Sequence, residues 1–243
     1  MSPLLTSLIV FGCVFSGALL GMFLRSVLPE HHLSPESKTA LNLVVGLIGT
    51  MAALVLGLLV ATAEGSFNTR NNEYTQMSAN VVLLDRTLAH YGPETEKARQ
   101  ILKVGVTRWL QPDSFEKGAS RGSEILVDAI QGLSPQNDGQ RWLQSQALTM
   151  ALNLGETRWL LFEQSGRSIP LAFLVVVTFW LSIIFASFGL FAPRNSTVLI
   201  ALFVGALSVS GAIFLILELD LPFEGLMQIS DVSMRNALGQ LGK

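Results

Sequence analysis

Four runs of about twenty apolar residues restrict the fold of this chain more than any other feature. Residues 4–24 read LLTSLIVFGCVFSGALLGMFL, and residues 40–63 read ALNLVVGLIGTMAALVLGLLVATA. Residues 169–191 read IPLAFLVVVTFWLSIIFASFGLF, and residues 197–219 read TVLIALFVGALSVSGAIFLILEL. The first three hold no charged residue; the fourth holds only Glu218, at its end. A helix of about 20 apolar residues crosses a bilayer core. In hydrocarbon each backbone N–H and C=O must be paired within its own segment, so each run is predicted to be a helix. The first run differs from a cleaved signal: no Lys or Arg precedes it, it is long, and no small-x-small site follows it. The expected fold class is all-α, a four-transmembrane-helix membrane protein with a helical cytoplasmic block inserted between helices 2 and 3.

Four spans place the N-terminus, residues 64–168 and the C-terminus on one side. The other side receives the 25–39 loop and the short 192–196 turn, which keeps spans three and four adjacent as a hairpin. The polar block carries eleven Lys and Arg, but long domains count little towards orientation. Near the membrane ends, Arg70, Arg158, Arg167 and Arg235 stand against Arg25, Lys38 and Arg194. That balance tilts towards a cytoplasmic block and cytoplasmic termini. The expected organisation is helices 1–2 over 1–63, the helical block over 64–168, helices 3–4 over 169–219, and a cytoplasmic tail over 220–243.

The block itself reads as helical. Phe67, Tyr74, Met77, Val81, Leu84, Leu88 and Tyr91 are spaced 7, 3, 4, 3, 4 and 3 residues apart, a period of about 3.5. No proline interrupts residues 40–92, so span two is expected to continue as one helix into the block. It should stop at Gly92-Pro93, where glycine suits a C-cap and proline the first turn of the next helix. Residues 93–110 follow with acids early and bases late, matching the helix dipole. Residues 111–123 read as a loop, "EILVDAIQGL" as a short helix, and residues 140–164 as a longer one running towards span three.

Composition excludes several functions. The chain is 50% hydrophobic and 14% charged, with a mean hydropathy of +0.48, where soluble domains carry about 25% charged residues. A net charge of −2 gives no field for nucleic acid. Cys13 is the single cysteine, so no internal disulfide or cysteine metal cluster forms. His31, His32 and His90 are too scattered for a triad. There is no G-x-S-x-G, H-E-x-x-H, Walker loop or C-x-x-C, and no span pairs a nucleophile with a base. An enzyme is therefore not expected, nor a cofactor or resident metal. Asp85 with Arg86, and Glu94 and Glu96 with Arg99 and Lys103, read as surface or interhelical pairs.

Two features invite a functional reading. Span two has a small face, Gly46, Gly49, Ala53 and Gly57, beside a row at Thr50, Leu54, Leu58 and Thr62. Small residues pack helices and leucines meet lipid; alternatively, the row surrounds a pore, where apolar rings gate by dewetting. Beyond span four, Glu218, Asp220 and Glu224 flank Pro222-Phe223. Carboxylates at a membrane edge are commonly interfacial. They also suit an acidic ring at a pore mouth, with Glu64 at the exit of span two as a second such ring. The other alternative is a cation site: three nearby carboxylates suit Ca²⁺, which prefers several hard oxygens, but one chain shows too few ligands to claim it.

Residues 46–94 and the segment "ELDLPFEGLMQIS" (218–230) resemble a bestrophin-like bacterial membrane protein family over essentially the whole chain. "LVLGLLVAT" (54–62) resembles the bestrophin neck helix, and "ELDLPFEG" the segment after the last bestrophin span. The resemblance implies a homopentameric anion channel, chloride-conducting, in a bacterial inner membrane, with the second helices around the axis. Its partners would be the lipid bilayer, copies of itself and inorganic ions. The neck positions then fall on Thr50, Leu54 and Leu58, where the family typically has Ile or Phe. The longer acidic run that binds calcium in animal bestrophins is absent. Two competing readings stand beside it: a cation channel, and a non-conducting scaffold, energy-coupling or sensor subunit. A coupling subunit would work with a partner helix bearing an essential carboxylate, and this chain has none mid-membrane.

Overall fold

The computed structural model describes residues 2–29, 35–111, 120–164, 169–193, 195–221, 223 and 225–242. Their order is α1 (Pro3–Val27), α2 (Pro35–Tyr91), a 3-10 turn (Pro93–Thr95), α3 (Glu96–Trp109), α4 (Ser120–Gln131), α5 (Asp138–Glu163), α6 (Leu171–Phe191), α7 (Ser196–Leu219) and α8 (Val232–Leu238). Four of these helices, α1, α2, α6 and α7, are long and apolar enough to cross a membrane. All regular structure among the described residues is helical.

The chain divides into two compact units. One contains Met1–Ser66 and Arg167–Met227; the other contains Phe67–Gly166 and Gln228–Lys243. The boundary falls inside α2, a continuous 57-residue helix, nearly three times what a span requires. Its join survives Gly65 because one glycine costs only about 1 kcal/mol against alanine.

The first unit is built on α1. Val10, Val14 and Ala18 form one core with Leu59 and Ala63 of α2, Val177, Leu181 and Phe185 of α6, and Ala206, Ile213 and Leu217 of α7. Between α1 and α6 the backbones nearly touch. A Cβ on Gly17 would lie 2.7 Å from the Ser182 carbonyl oxygen, and Cβ atoms on Gly21 and Gly189 would collide with the carbonyls of Ala186 and Ala18. With no hydrophobic drive between helices in lipid, such small-residue seams supply the contact. Between α1 and α7, the Phe11 and Phe15 rings stack at 5.7 Å and both meet the edge of Phe203. The Ser210 hydroxyl donates to the Ser7 carbonyl, satisfying a buried polar group.

In the second unit the heptad positions of α2 are the core. Met77, Val81 and Leu84 are fully buried, with Tyr74, Leu88 and Tyr91 close behind. Gly92 ends the helix at φ +137°, a conformation that favours glycine. The Thr95 hydroxyl caps the last turn by donating to the carbonyls of Leu88 (2.7 Å) and Gly92 (2.8 Å). Asn137 caps α5 by accepting from Gln140 N–H at 2.8 Å. The Gln144 amide donates to the Ile130 carbonyl in the last turn of α4 and to the Leu133 carbonyl just beyond it. The predicted 111–123 loop is shorter than expected, since α4 starts at Ser120; residues 112–119 lie outside the described residues. The tail from Gln228 joins this unit through α8, whose Met234 and Ala237 are buried together with Leu241.

Candidate functional site

The segment Thr50–Glu64 of α2 presents two opposed faces. Ala52, Leu59 and Ala63 are buried, at 2%, 7% and 0% exposure, against the rest of the first unit. Thr50, Leu54, Leu58 and Thr62 lie on the other side and are all exposed, Leu54 at 77% and Leu58 at 62%. The row predicted at i, i+4 spacing is thus one continuous exposed strip within this protomer. The Thr50 hydroxyl is satisfied by its own helix, donating to the Leu47 carbonyl at 2.8 Å. Glu64 is also exposed.

Of the four spans α2 is the least covered: 17% of its most apolar window is buried, against 28–33% in the others. Its glycines differ in kind from Gly17, Gly21 and Gly189. Cβ atoms on Gly46 or Gly57 would meet nothing within 4 Å, and one on Gly49 would just reach Ile184 Cδ1 at 4.0 Å. Gly17, Gly21 and Gly189 are used in packing within the protomer, while Gly46 and Gly57 of α2 are left open.

The acidic segment after α7 is placed quite differently from Glu64. Glu218 is buried at 5% exposure, and its Oε2 accepts the Leu226 N–H at 2.7 Å. Gly225, at φ +86°, lies against that carboxylate, which leaves no room for a side chain. Asp220 is 1% exposed and accepts the Ile169 N–H at 3.4 Å, ahead of α6. Both carboxylates therefore hold backbone turns of the first unit. Glu224 lies outside the described residues. Among the described residues no group of three His, Cys, Asp or Glu side chains is arranged to hold a metal ion.

Charged residues of the second unit are more deeply engaged than their sequence suggested. Asp85 pairs with Arg99, not Arg86: Nε and Nη2 donate to the two carboxylate oxygens at 2.8 and 3.0 Å. Gly242 N–H adds a third bond at 3.2 Å. Burial alone would raise the Asp85 carboxyl. The Arg99 and Gly242 hydrogen bonds, with the charges of Arg99 and Arg86, overcome it and hold the group below the usual carboxylate range. Arg158, 5% exposed, lies 4.7 Å from the centre of the Trp109 ring. Its burial lowers its pKa to about 10, offset in part by Tyr74. Burial, with Asp231, pushes the Tyr74 hydroxyl up to about 12 against the opposing charges of Arg235 and Arg158. Sequence reading missed this network, because adjacent-residue pairing hid the Asp85–Arg99 contact across α2 and α3.

Comparison with known proteins adds three findings. A family model described as a bestrophin-like domain matches residues 12–234. A crystal structure of a bacterial bestrophin homologue from Klebsiella pneumoniae, a tryptophan-to-alanine variant, is similar at TM-score 0.71 and 14% identity, covering 100% of this chain and 99% of that one. An isoleucine-to-threonine variant of the same homologue gives TM-score 0.69 and 14% identity, over 97% of this chain and 99% of that one. Among curated proteins no match was found.

Proposed function

The chain belongs to the bestrophin-like family, and from that membership we propose that it is a homo-oligomeric ion channel, a pentamer conducting chloride, with α2 lining a hydrophobic neck. The observation that carries this reading is the exposed strip of Thr50, Leu54, Leu58 and Thr62 on the least covered of the four spans. A helix meeting lipid alone gains nothing from a strip that begins and ends on the polar Thr50 and Thr62. A helix facing an axis with its copies needs small residues for close approach and a few apolar side chains to narrow the path. Rings of Leu54 and Leu58 then close by expelling water and open with a small change in radius.

No Lys or Arg lies within residues 40–63 to select by charge. Selection would rest on hydration, because large anions shed water more cheaply than small cations. Glu64 stands at the exit of the neck. In this reading Glu218 and Asp220 shape the mouth by fixing the turns around it, and Glu224 is the third carboxylate of the mouth. Residues 64–168 and both termini are cytoplasmic, and the membrane is the bacterial inner membrane. The chain acts without a cofactor and is not an enzyme.

The test is flux through the purified protein in planar bilayers or liposomes with chloride, sodium and potassium. Chloride permeation is expected, and Leu54→Ala and Leu58→Ala should each raise it, since each removes three heavy atoms per copy from the constriction. Silence from wild type and both variants, with assembly intact, would replace the channel with a scaffold. One observation favours a second reading: Glu64 is exposed where an acidic ring would concentrate cations. Sodium or potassium flux that Glu64→Gln abolishes would establish that alternative.

A further inference from the structure

A cavity of about 450 Å³ opens in the first unit between the first turns of α2, the last turns of α6 and the first turns of α7. Phe185 and Leu202, both nearly buried, form its floor. Gly205 allows the Phe185 ring edge to come close to α7, since a Cβ there would stand 3.3 Å from Phe185 Cζ. Phe188 and Phe191 form a wall, and Lys38 and Asn42 stand on the rim. We propose that this cavity binds an anionic phospholipid, with its phosphate at Lys38 and one acyl chain laid over Phe185, Phe188 and Leu202.

The volume lies within the range of about 300–1,000 Å³ typical of ligand sites. The order of chemistry along the cavity is that of a lipid. Lys38 stands two residues before the apolar run that begins at Ala40, so its ammonium lies at headgroup height. Phe185 lies six residues, about 9 Å, deeper along α6 than Phe191. A molecule entering from the bilayer therefore meets a cation first and an apolar floor second.

The charge at the rim is positive. None of the ion pairs among the described residues includes Lys38. Its ammonium lies 5.9 Å from the centre of the Phe191 ring, the outer limit of a cation–π contact, and is free to swing to a stronger partner. Glu36, two residues away on α2, faces another side of the helix. Arg25, the neighbouring cation, is already engaged by the Ala192 carbonyl.

The test is native mass spectrometry of the full chain in detergent with equal amounts of dioleoyl phosphatidylglycerol and dioleoyl phosphatidylcholine. The wild type should retain the anionic lipid preferentially. Lys38→Gln should reduce its retention about fivefold, the factor for one cation beside a lipid surface, while Lys38→Arg keeps the preference. Ala201→Phe, which fills the cavity from α7, should reduce retention of both lipids. Equal retention of the two lipids by wild type, or undiminished retention by Lys38→Gln, would overturn the proposal. So would a cross-link between cysteines at Asn42 and Phe188 of different copies, made in the Cys13→Ala background, because it would show the cavity filled by a second chain. None of these readouts depends on conduction, so the outcome is separate from that of the channel reading.

Discussion

Substituting Gly21 by alanine adds one methyl group at the closest point between α1 and α6. Its Cβ would collide with the Ala186 carbonyl oxygen, and would stand 2.8 Å from the Ala186 carbonyl carbon and 2.9 Å from the Leu190 nitrogen. All three are backbone atoms, so no side chain can rotate away. Ordinary carbon contacts lie at about 3.5–4.0 Å, so the helices must part by roughly 1 Å along this seam. A gap of that size forfeits a quarter to a half of each dispersion contact, and the seam includes Val14, Ala18, Leu181 and Phe185. The expected loss is about 2–3 kcal/mol, the upper part of the range for overpacked cores. For a chain of this size that is a fall in melting temperature of roughly 5–10 °C. The assay is thermal unfolding in detergent followed by intrinsic tryptophan fluorescence, with Gly57→Ala as the control. Gly57 meets nothing within 4 Å, so its alanine variant should leave the protomer unchanged or gain up to about 1 kcal/mol from helix propensity. Equal melting temperatures for Gly21→Ala and wild type would refute the close α1–α6 contact.

Three further outcomes follow from the geometry. Asp85→Asn should cost about 3 kcal/mol, the lower end for removing one member of a buried ion pair, read by chemical denaturation. The folded Asp85 carboxyl has a lowered pKa, so its contribution is complete above about pH 5, where the unfolded carboxyl is also ionised, and is lost as pH falls through the folded value. A pH–stability profile of wild type should therefore show an acid limb that Asp85→Asn flattens. Gly225→Ala should lower the melting temperature by an amount equivalent to about 1–3 kcal/mol, since φ +86° is strained for alanine and the new Cβ meets the Glu218 carboxylate. Arg158→Met should cost about 1–2 kcal/mol through the lost contact with the Trp109 ring, with Trp109 fluorescence shifting as the cation leaves.

The spans were legible because an apolar run of twenty residues has few alternatives. The long α2 was legible because a period of 3.5 residues and the absence of proline act over short distances, and Gly92 marked its end by its own backbone freedom. Nothing in the sequence showed that Gly17, Gly21 and Gly189 would meet the carbonyls of Ser182, Ala186 and Ala18. What depended on distant segments stayed hidden. Asp85 sits beside Arg86 in sequence, yet neighbouring side chains diverge on a helix, and α3 brings Arg99 to it instead. Arg158 reads as a surface cation until the Trp109 ring covers it. Glu218 and Asp220 read as edge carboxylates because nothing in their spacing reveals the turn at Gly225 or the amide of Ile169. α8 was missed altogether, although Met234, Ala237 and Leu241 keep helical spacing; seven residues are too few for periodicity to stand out. The exposed strip at Thr50–Thr62 was visible as spacing alone, and what the fold adds is that Ala52, Leu59 and Ala63 of the same turns are buried on the opposite side.

The pairing of α1 with α6 and α7 also has a cost in time. Ser7 and Ser210, which bond to one another, are 203 residues apart, and the partners of Gly17 and Gly21 lie nearly as far along the chain. At about 5–20 residues per second, ribosomes would need roughly ten to thirty seconds to deliver α6 after α1. During that interval α1 waits in the bilayer with its glycine notch and serines unmatched, beside an α2 that does not fill them. A nascent chain halted before α6 should therefore present a recognisable orphan helix to membrane proteases, whereas one halted after α7 should not.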